Sequence, residues 1–199
     1  MWCIQVRNQL VEAPLQIRTS ITHPLQIAEL AIPGAGSIGV TFCPGKCGTS
    51  LYGHRWERDL DSDLETIQRW GARVVLTLVE EFELNALNVA GLGEKVKSRG
   101  MRWSHMPIVD VSVPSQSFER QWREELPQLL STLSEGGKIL VHCKGGLGRA
   151  GMVAAFLLIE SGEHHEVAIR NVRQARPGAI ETPAQERYVT GYKRRGDEN

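Results

Sequence analysis

The chain has 199 residues, enough for one domain with a sustained hydrophobic core. Hydrophobic residues make up 41% and charged residues 23%, the balance of an ordinary globular fold rather than a disordered or fibrous chain. The 23 basic residues cancel the 23 acidic ones, so bulk charge offers nothing to a nucleic acid or a membrane surface, and any anion must be drawn by a local site.

No apolar run approaches the roughly 20 residues that span a bilayer. The start, MWCIQVRNQL, lacks a charged segment followed by an apolar signal core, so a cytoplasmic protein is expected. Four cysteines, Cys3, Cys43, Cys47 and Cys143, are too few and too unevenly placed for a disulfide framework. No internal repeat is visible. Residues 1–21 have no clear period and read as an N-terminal extension, 22–195 as a single domain and 196–199 as a tail.

In chain order, PLQIAELAIPGAGSIGVTFCPGK alternates short apolar runs with Pro and Gly, a pattern of short strands and turns. RDLDSDLETIQRWGA predicts a helix capped by Asp59 or Asp61, with Leu60, Leu64 and Ile67 on its apolar face and Gly71 as its stop. RVVLTLV predicts a buried strand, and MRWSHMPIV another ending near Asp110. SQSFERQWREELPQLLSTLSEGG predicts a helix that Pro127 should kink or divide. KILVH predicts a strand, and GRAGMVAAFLLIESG the helix after it. EHHEVAIRNVRQARPG predicts a helix stopped by Pro177 and Gly178, and TPAQERYVTGYKRR a last helix opened by Pro183. Strand and helix alternate from about residue 60 onward, which predicts an α/β fold with a central, largely parallel sheet flanked by helices. Ligands bind beyond the carboxyl ends of central strands in such sheets. The apolar KILVH is the natural central strand, which puts His142 and Cys143 at the ligand edge.

The stretch KGGLGRA then forms a tight strand-to-helix loop. Gly145, Gly146 and Gly148 admit backbone angles forbidden to other residues and let successive N–H groups converge on one point, an anion-binding concavity. The positive end of the following helix faces the same point. Arg149 adds a planar two-pronged donor suited to two phosphate oxygens. Cys143 lies at the base of this cradle, where the same dipoles favour a thiolate and keep a nucleophile ready. His142 could fix the loop by hydrogen-bonding a backbone carbonyl. Read blandly, a buried cysteine is inert packing and a glycine loop is common in α/β proteins. The coincidence of His, Cys, three glycines and Arg between a strand and a helix start favours the chemical reading.

HCKGGLGR matches the His-Cys-five residues-Arg signature of the cysteine-dependent protein tyrosine and dual-specificity phosphatases, and VHCKGGLGRAGMVAA resembles their dual-specificity, kinase-associated branch. HMPIVDVSVPS resembles the acid loop of that group, where a Pro-Ile-x-Asp pattern carries the general acid. GAIETPAQERYV resembles its downstream segment with a glutamine. The resemblance runs from about residue 40 to 190. It implies that Cys143 attacks the phosphorus of a phosphomonoester and that Arg149 holds the equatorial oxygens together with the amides of Lys144, Gly145, Gly146, Leu147 and Gly148. It also implies that Asp110 protonates the leaving group and then activates the water that hydrolyses the cysteinyl-phosphate. No metal or cofactor is implied. The expected partner is a phosphorylated protein, with no nucleic acid or membrane.

Each role has a rival. An Asp after a strand often only caps a turn, and Glu80, Glu81 and Glu83 compete with Asp110 as site carboxylates. Gln185 could position the second-step water, but Thr182 and Gln185 have the spacing of a capping box, the favoured reading. His142 reads as scaffold. The family usually places Ser or Thr after the loop arginine, where its hydroxyl eases thiolate departure; here Ala150 stands there. The DVSVPS segment also lacks the Gly pair of the resembled branch. CPGKC supplies one cysteine pair where a structural zinc commonly wants two, so a turn is the simpler reading, although either cysteine could be a redox partner for Cys143 and Lys46 could lend positive charge. His164 and His165 read as surface residues and the five tryptophans as core.

Three functions stay open beside the protein phosphatase. An inositol phosphate or phosphoinositide phosphatase is favoured by Lys144 and disfavoured by Leu147, where lipid-directed relatives often carry a second lysine. A low-activity phosphate-binding module is supported by Ala150. A rhodanese-like domain would leave the Asp110 and Thr182–Val189 patterns unexplained.

Overall fold

A computed structural model of the chain describes residues 17–49 and 53–196. Residues 1–16, with Cys3, and the last three residues of the expected tail lie outside the described residues.

Five strands form the main sheet: β2 (Ala28–Ala31), β3 (Ser37–Phe42), β6 (Ala72–Thr77), β7 (Arg102–His105) and β8 (Lys138–Cys143), in the order β2-β3-β8-β6-β7. β3, β8, β6 and β7 run parallel, and β2 pairs antiparallel with β3 at the edge. The fold is therefore the expected α/β sandwich, with KILVHC in the middle of the sheet. A second sheet joins β1 (Ile17–Arg18), β5 (Arg55–Glu57) and β4 (Cys47–Thr49). β1 lies within the expected extension and pairs in parallel with β5.

Seven helices complete the described chain: α1 (Leu60–Trp70), α2 (Glu81–Ala86), α3 (Leu92–Ser98), α4 (Gln116–Ser134), α5 (Gly148–Glu160), α6 (His165–Ala175) and α7 (Pro183–Thr190). α1 is bounded by an Asp59 cap, whose side chain accepts from Ser62 N, and by Gly71 in a left-handed conformation. All thirteen residues of α5 are buried, which suits a helix apolar all round. It packs on β8, β3, α6 and α7, so the loop before it is held between a central strand and a central helix.

Four expectations need correction. β7 ends at His105, five residues before Asp110. Its line of bonding continues irregularly through Met106 N to Thr77 O and Ile108 N to Leu78 O, each 3.0 Å, because Pro107 between them has no N–H to give. Pro127 does not divide α4, which runs unbroken through it. Pro127 and Arg123, four residues earlier, are both exposed, so solvent can satisfy the Arg123 carbonyl while Trp122, Leu126, Leu129 and Leu133 hold the helix to the core. The last helix stops at Thr190, short of Arg195. Among the described tryptophans only Trp122 is buried; Trp56, Trp70 and Trp103 are half-buried. No described helix is long and apolar enough to cross a membrane.

Candidate active site

β8 carries Cys143 to the end of the sheet, level with Phe42 of β3. Its side chain is buried, and the Gly146 N–H donates to Sγ at 3.2 Å. The loop carbonyls show where the other amides face. Lys144 O accepts from Lys46 Nζ at 3.3 Å and from Cys43 N at 3.4 Å. Gly145 O and Gly146 O accept from Arg176, through Nη2 at 3.2 Å and Nε at 3.1 Å. A trans peptide points its N–H opposite to its C=O. Carbonyls turned out to Lys46 and Arg176 therefore turn the Gly145, Gly146 and Leu147 N–H groups inward, over the sulfur. Gly146 has φ +70°, and a β-carbon there would lie 2.4 Å from the Thr41 carbonyl, so glycine is required.

Arg149, in the first turn of α5, is 1% exposed. Its Nη1 and Nη2 donate to Glu83 Oε2 and Oε1 at 2.5 and 3.0 Å, Nη1 reaches Ile108 O at 3.0 Å, and Nη2 meets Asp110 Oδ1 at 2.8 Å. Glu83 Oε2 also accepts from the Glu80 N–H at 2.9 Å. Burial works to raise the Glu83 pKa, but Arg149 and the Glu80 N–H outweigh it and hold the carboxyl below its ordinary value. Burial likewise opposes charge on Arg149, and Glu83, Cys143 and Asp110 overcome it and raise the guanidinium pKa.

Asp110 sits in a turn, half exposed, between Val109 and Val111, both exposed. Its carboxylate accepts from the Val111 N–H at 3.1 Å. Val111 has φ +60°, a left-handed conformation costly for a β-branched residue. Cys143, Arg149 and Asp110 are thus brought together, as the motifs require. Of the three rival glutamates, Glu83 enters the site as the partner of Arg149 and leaves Asp110 at the surface.

His142 is fully buried, with Nε2 2.8 Å from Thr77 Oγ1 rather than on a loop carbonyl. Thr77 Oγ1 accepts from Trp103 Nε1 at 2.8 Å, which leaves its own proton for His142. Burial lowers the His142 pKa to about 3, against an opposing Cys143 backbone contact and with help from Arg149 and His105. The ring is a neutral strut. Gln185 is fully buried as well. Thr182 Oγ1 accepts from Gln185 N at 3.1 Å, the Thr half of the expected capping box. The glutamine half is shifted: Gln185 Oε1 accepts from Glu181 N at 3.0 Å and Nε2 reaches Ser112 O at 3.3 Å. Gln185 so links α7 to the Asp110 loop.

Sequence reasoning missed Arg176 and Glu181. Arg176 falls at a predicted helix stop and Glu181 one residue before a predicted cap, so neither carries a site signal of its own. Glu181 Oε2 accepts the Gly148 N–H, at 2.8 Å. Lys46 holds its ammonium 4.5 and 4.4 Å from the Phe42 and Trp56 rings, and burial lowers its pKa to about 8. Cys43 is fully buried, its thiol pushed far above the ordinary range by that burial. No cluster of three or more His, Cys, Asp or Glu among the described residues could hold a metal ion.

Residues 56–189 match a family model described as the Swiss Army Knife protein, DSP-PTPase phosphatase domain. Over 139 residues the chain is 31% identical to cyclin-dependent kinase inhibitor 3 of Rattus norvegicus, a match covering 68% of this chain and 64% of that protein. Over 134 residues it is 31% identical to protein tyrosine phosphatase type IVA 3 of Bos taurus, covering 67% and 72%. A solved kinase associated phosphatase with serine in place of its catalytic-site cysteine superposes with a TM-score of 0.72 at 27% identity, over 83% of this chain and 92% of the other.

Proposed function

The chain belongs to the dual-specificity and tyrosine phosphatase family, and on that premise we propose that it is a phosphomonoester hydrolase acting on phosphotyrosine, and on phosphoserine or phosphothreonine, in protein substrates through a cysteinyl-phosphate. The match spans just under two thirds of the rat relative. The domain is taken as residues 22–195. The observation that carries the reading is the sulfur of Cys143 under inward N–H groups, with Arg149 and Asp110 converging beside it.

The cradle offers a tetrahedral oxyanion the N–H groups of Gly145, Gly146 and Leu147 together with the guanidinium. These donors are fixed before substrate arrives, so they stabilise charge growing on the equatorial oxygens without reorganising. Cys143 Sγ attacks phosphorus from below, and the ester oxygen leaves on the opposite side. Arg149 holds Asp110 by an ion pair at 2.8 Å. When the phosphoryl group takes up the guanidinium, Asp110 is released to carry a proton to the leaving oxygen and afterwards to draw one from the attacking water. Glu83 keeps Arg149 aimed throughout. No step calls for a metal.

The test compares wild type, Cys143→Ser and Asp110→Asn on an aryl and an alkyl phosphate across pH. Wild type hydrolyses both and is inhibited by vanadate. Cys143→Ser turns over neither. Asp110→Asn loses about 100-fold on the alkyl ester and less on the aryl ester, whose leaving group needs the proton less. Turnover that survives Cys143→Ser overturns the proposal.

A further inference from the structure

The amide of Gly148 stands apart in the cradle. It is the first N–H of α5, a donor with no partner inside its own helix, and it closes the row that begins at Gly145. Glu181 Oε2 occupies it at 2.8 Å. A carboxylate is an oxyanion, and the position it takes is one that an incoming phosphoryl oxygen would seek.

Glu181 is delivered there by construction. Gly151 has no side chain, so Ala179 and Ile180 lie directly against α5; a β-carbon at Gly151 would come within 2.9 Å of Ile180 N. Ile180 is buried and holds φ +58°, a left-handed conformation that a β-branched residue adopts only under constraint. Arg173 clamps the segment by donating to Ala179 O at 3.2 Å and Ile180 O at 3.3 Å, and Ile180 N donates to Leu147 O at 3.4 Å. Gln185 takes the Glu181 N–H. These contacts hold the backbone of residues 179–181 and leave the carboxylate tied to the loop through Gly148 alone among the side-chain contacts of Glu181.

We propose that Glu181 is an internal competitor for the phosphate cradle: its carboxylate accepts the Gly148 N–H, must turn away for a phosphoryl oxygen to bind there, and so weakens binding of dianionic oxyanions, the product phosphate included. The proposal rests on the phosphatase reading of the same loop. Its physical basis is the repulsion between a carboxylate and a dianion that share one donor. Glu181 thus sets how readily the site empties after each turnover.

The measurement is tungstate binding by calorimetry at pH 7, in a Cys143→Ser background that stops covalent chemistry. Glu181→Ala and Glu181→Gln are compared with their parent, the glutamine keeping an acceptor for Gly148 so that the loop stays braced. Both substitutions tighten tungstate by about ten-fold, and the monoanion perrhenate gains less, a charge dependence that a mere strut would not produce. Equal or weaker tungstate binding in both variants, beside a parent that binds it, overturns this inference alone. A parent that binds no tungstate overturns the phosphatase reading and this inference together.

Discussion

Arg149 and Glu83 are joined by two parallel hydrogen bonds, at 2.5 and 3.0 Å, with side chains 2% and 6% exposed. Residues 66 positions apart meet because α2 follows β6 and α5 follows β8, and those strands are neighbours in the sheet. A guanidinium this buried has a strongly preferred aim, and Glu83 sets it. Removing one partner of a buried pair costs about 3–5 kcal/mol, and the lower end applies here because Asp110 and the Ile108 carbonyl still reach the guanidinium. Glu83→Ala is therefore expected to lower kcat/KM by at least about 100-fold and to destabilise the fold on that scale. Glu83→Gln keeps one acceptor and loses less of each. Denaturant unfolding beside steady-state kinetics on an aryl phosphate checks both.

His142 makes stability depend on pH in a window that opens above the range of the carboxylates. Its folded pKa is lowered to about 3 by burial, while the unfolded chain binds the proton near 6.5. Below 6.5 the unfolded state therefore takes up a proton that the folded state refuses, and stability falls as pH drops from 6.5 toward 3. Above 6.5 both states are neutral and the contribution is complete. The slope approaches about 1.4 kcal/mol per pH unit. Unfolding followed from pH 7 to 5 in wild type and His142→Asn separates this term from groups common to both, Lys46 among them. His142→Asn should flatten the curve over that interval, and an unchanged slope would refute the buried neutral ring.

Arg176 turns loop carbonyls outward from a position 30 residues beyond the loop. Burial lowers its pKa and Cys143 opposes the shift, so the cation sits where its charge is costly and the sulfur compensates. Without it the Gly145 and Gly146 peptides are free to rotate and the amide row loses its order. Arg176→Met should cost about 100-fold in kcat/KM, and Arg176→Lys, able to reach one carbonyl at a time, about 10-fold. Arg176 is only half-buried, so thermal stability should change little, and the split between the two readouts identifies a positioning residue.

The cradle was legible in the sequence because it is contiguous: one strand, one glycine loop and one helix start lie within KILVHCKGGLGRAGM, and each follows from local rules. Asp110 was legible only through its Pro-Ile-x-Asp resemblance, since the strand expected to deliver it ends at His105 and a strained turn at Val111 presents it instead. Glu83, Lys46, Arg176 and Glu181 were harder for a common reason. Each arrives on a different element, and only the order β3-β8-β6 and the packing of α5 against β3, α6 and α7 assemble them. Charges scattered over 135 positions carry no period. The two-sided role of the peptide plane, amides in and carbonyls out, also implied cations outside the loop, but not which ones.

Gly145 and Gly146 share a loop and differ in what they tolerate. Gly145 is solvent-exposed, and a β-carbon there would meet nothing within 4 Å. Gly146 is buried at φ +70°, and the same carbon would lie 2.4–2.5 Å from the Thr41 carbonyl and the Phe42 nitrogen, both backbone of β3. Backbone in a central sheet cannot yield as a flexible side chain can, so strain in φ and overlap act together. Gly146→Ala should destabilise the fold by about 3 kcal/mol or more and abolish turnover. Gly145→Ala should unfold within about 0.5 kcal/mol of wild type. Any loss it shows in kcat/KM then reports the altered freedom of the loop rather than a damaged fold, and paired unfolding and kinetic measurements on the two variants separate those effects.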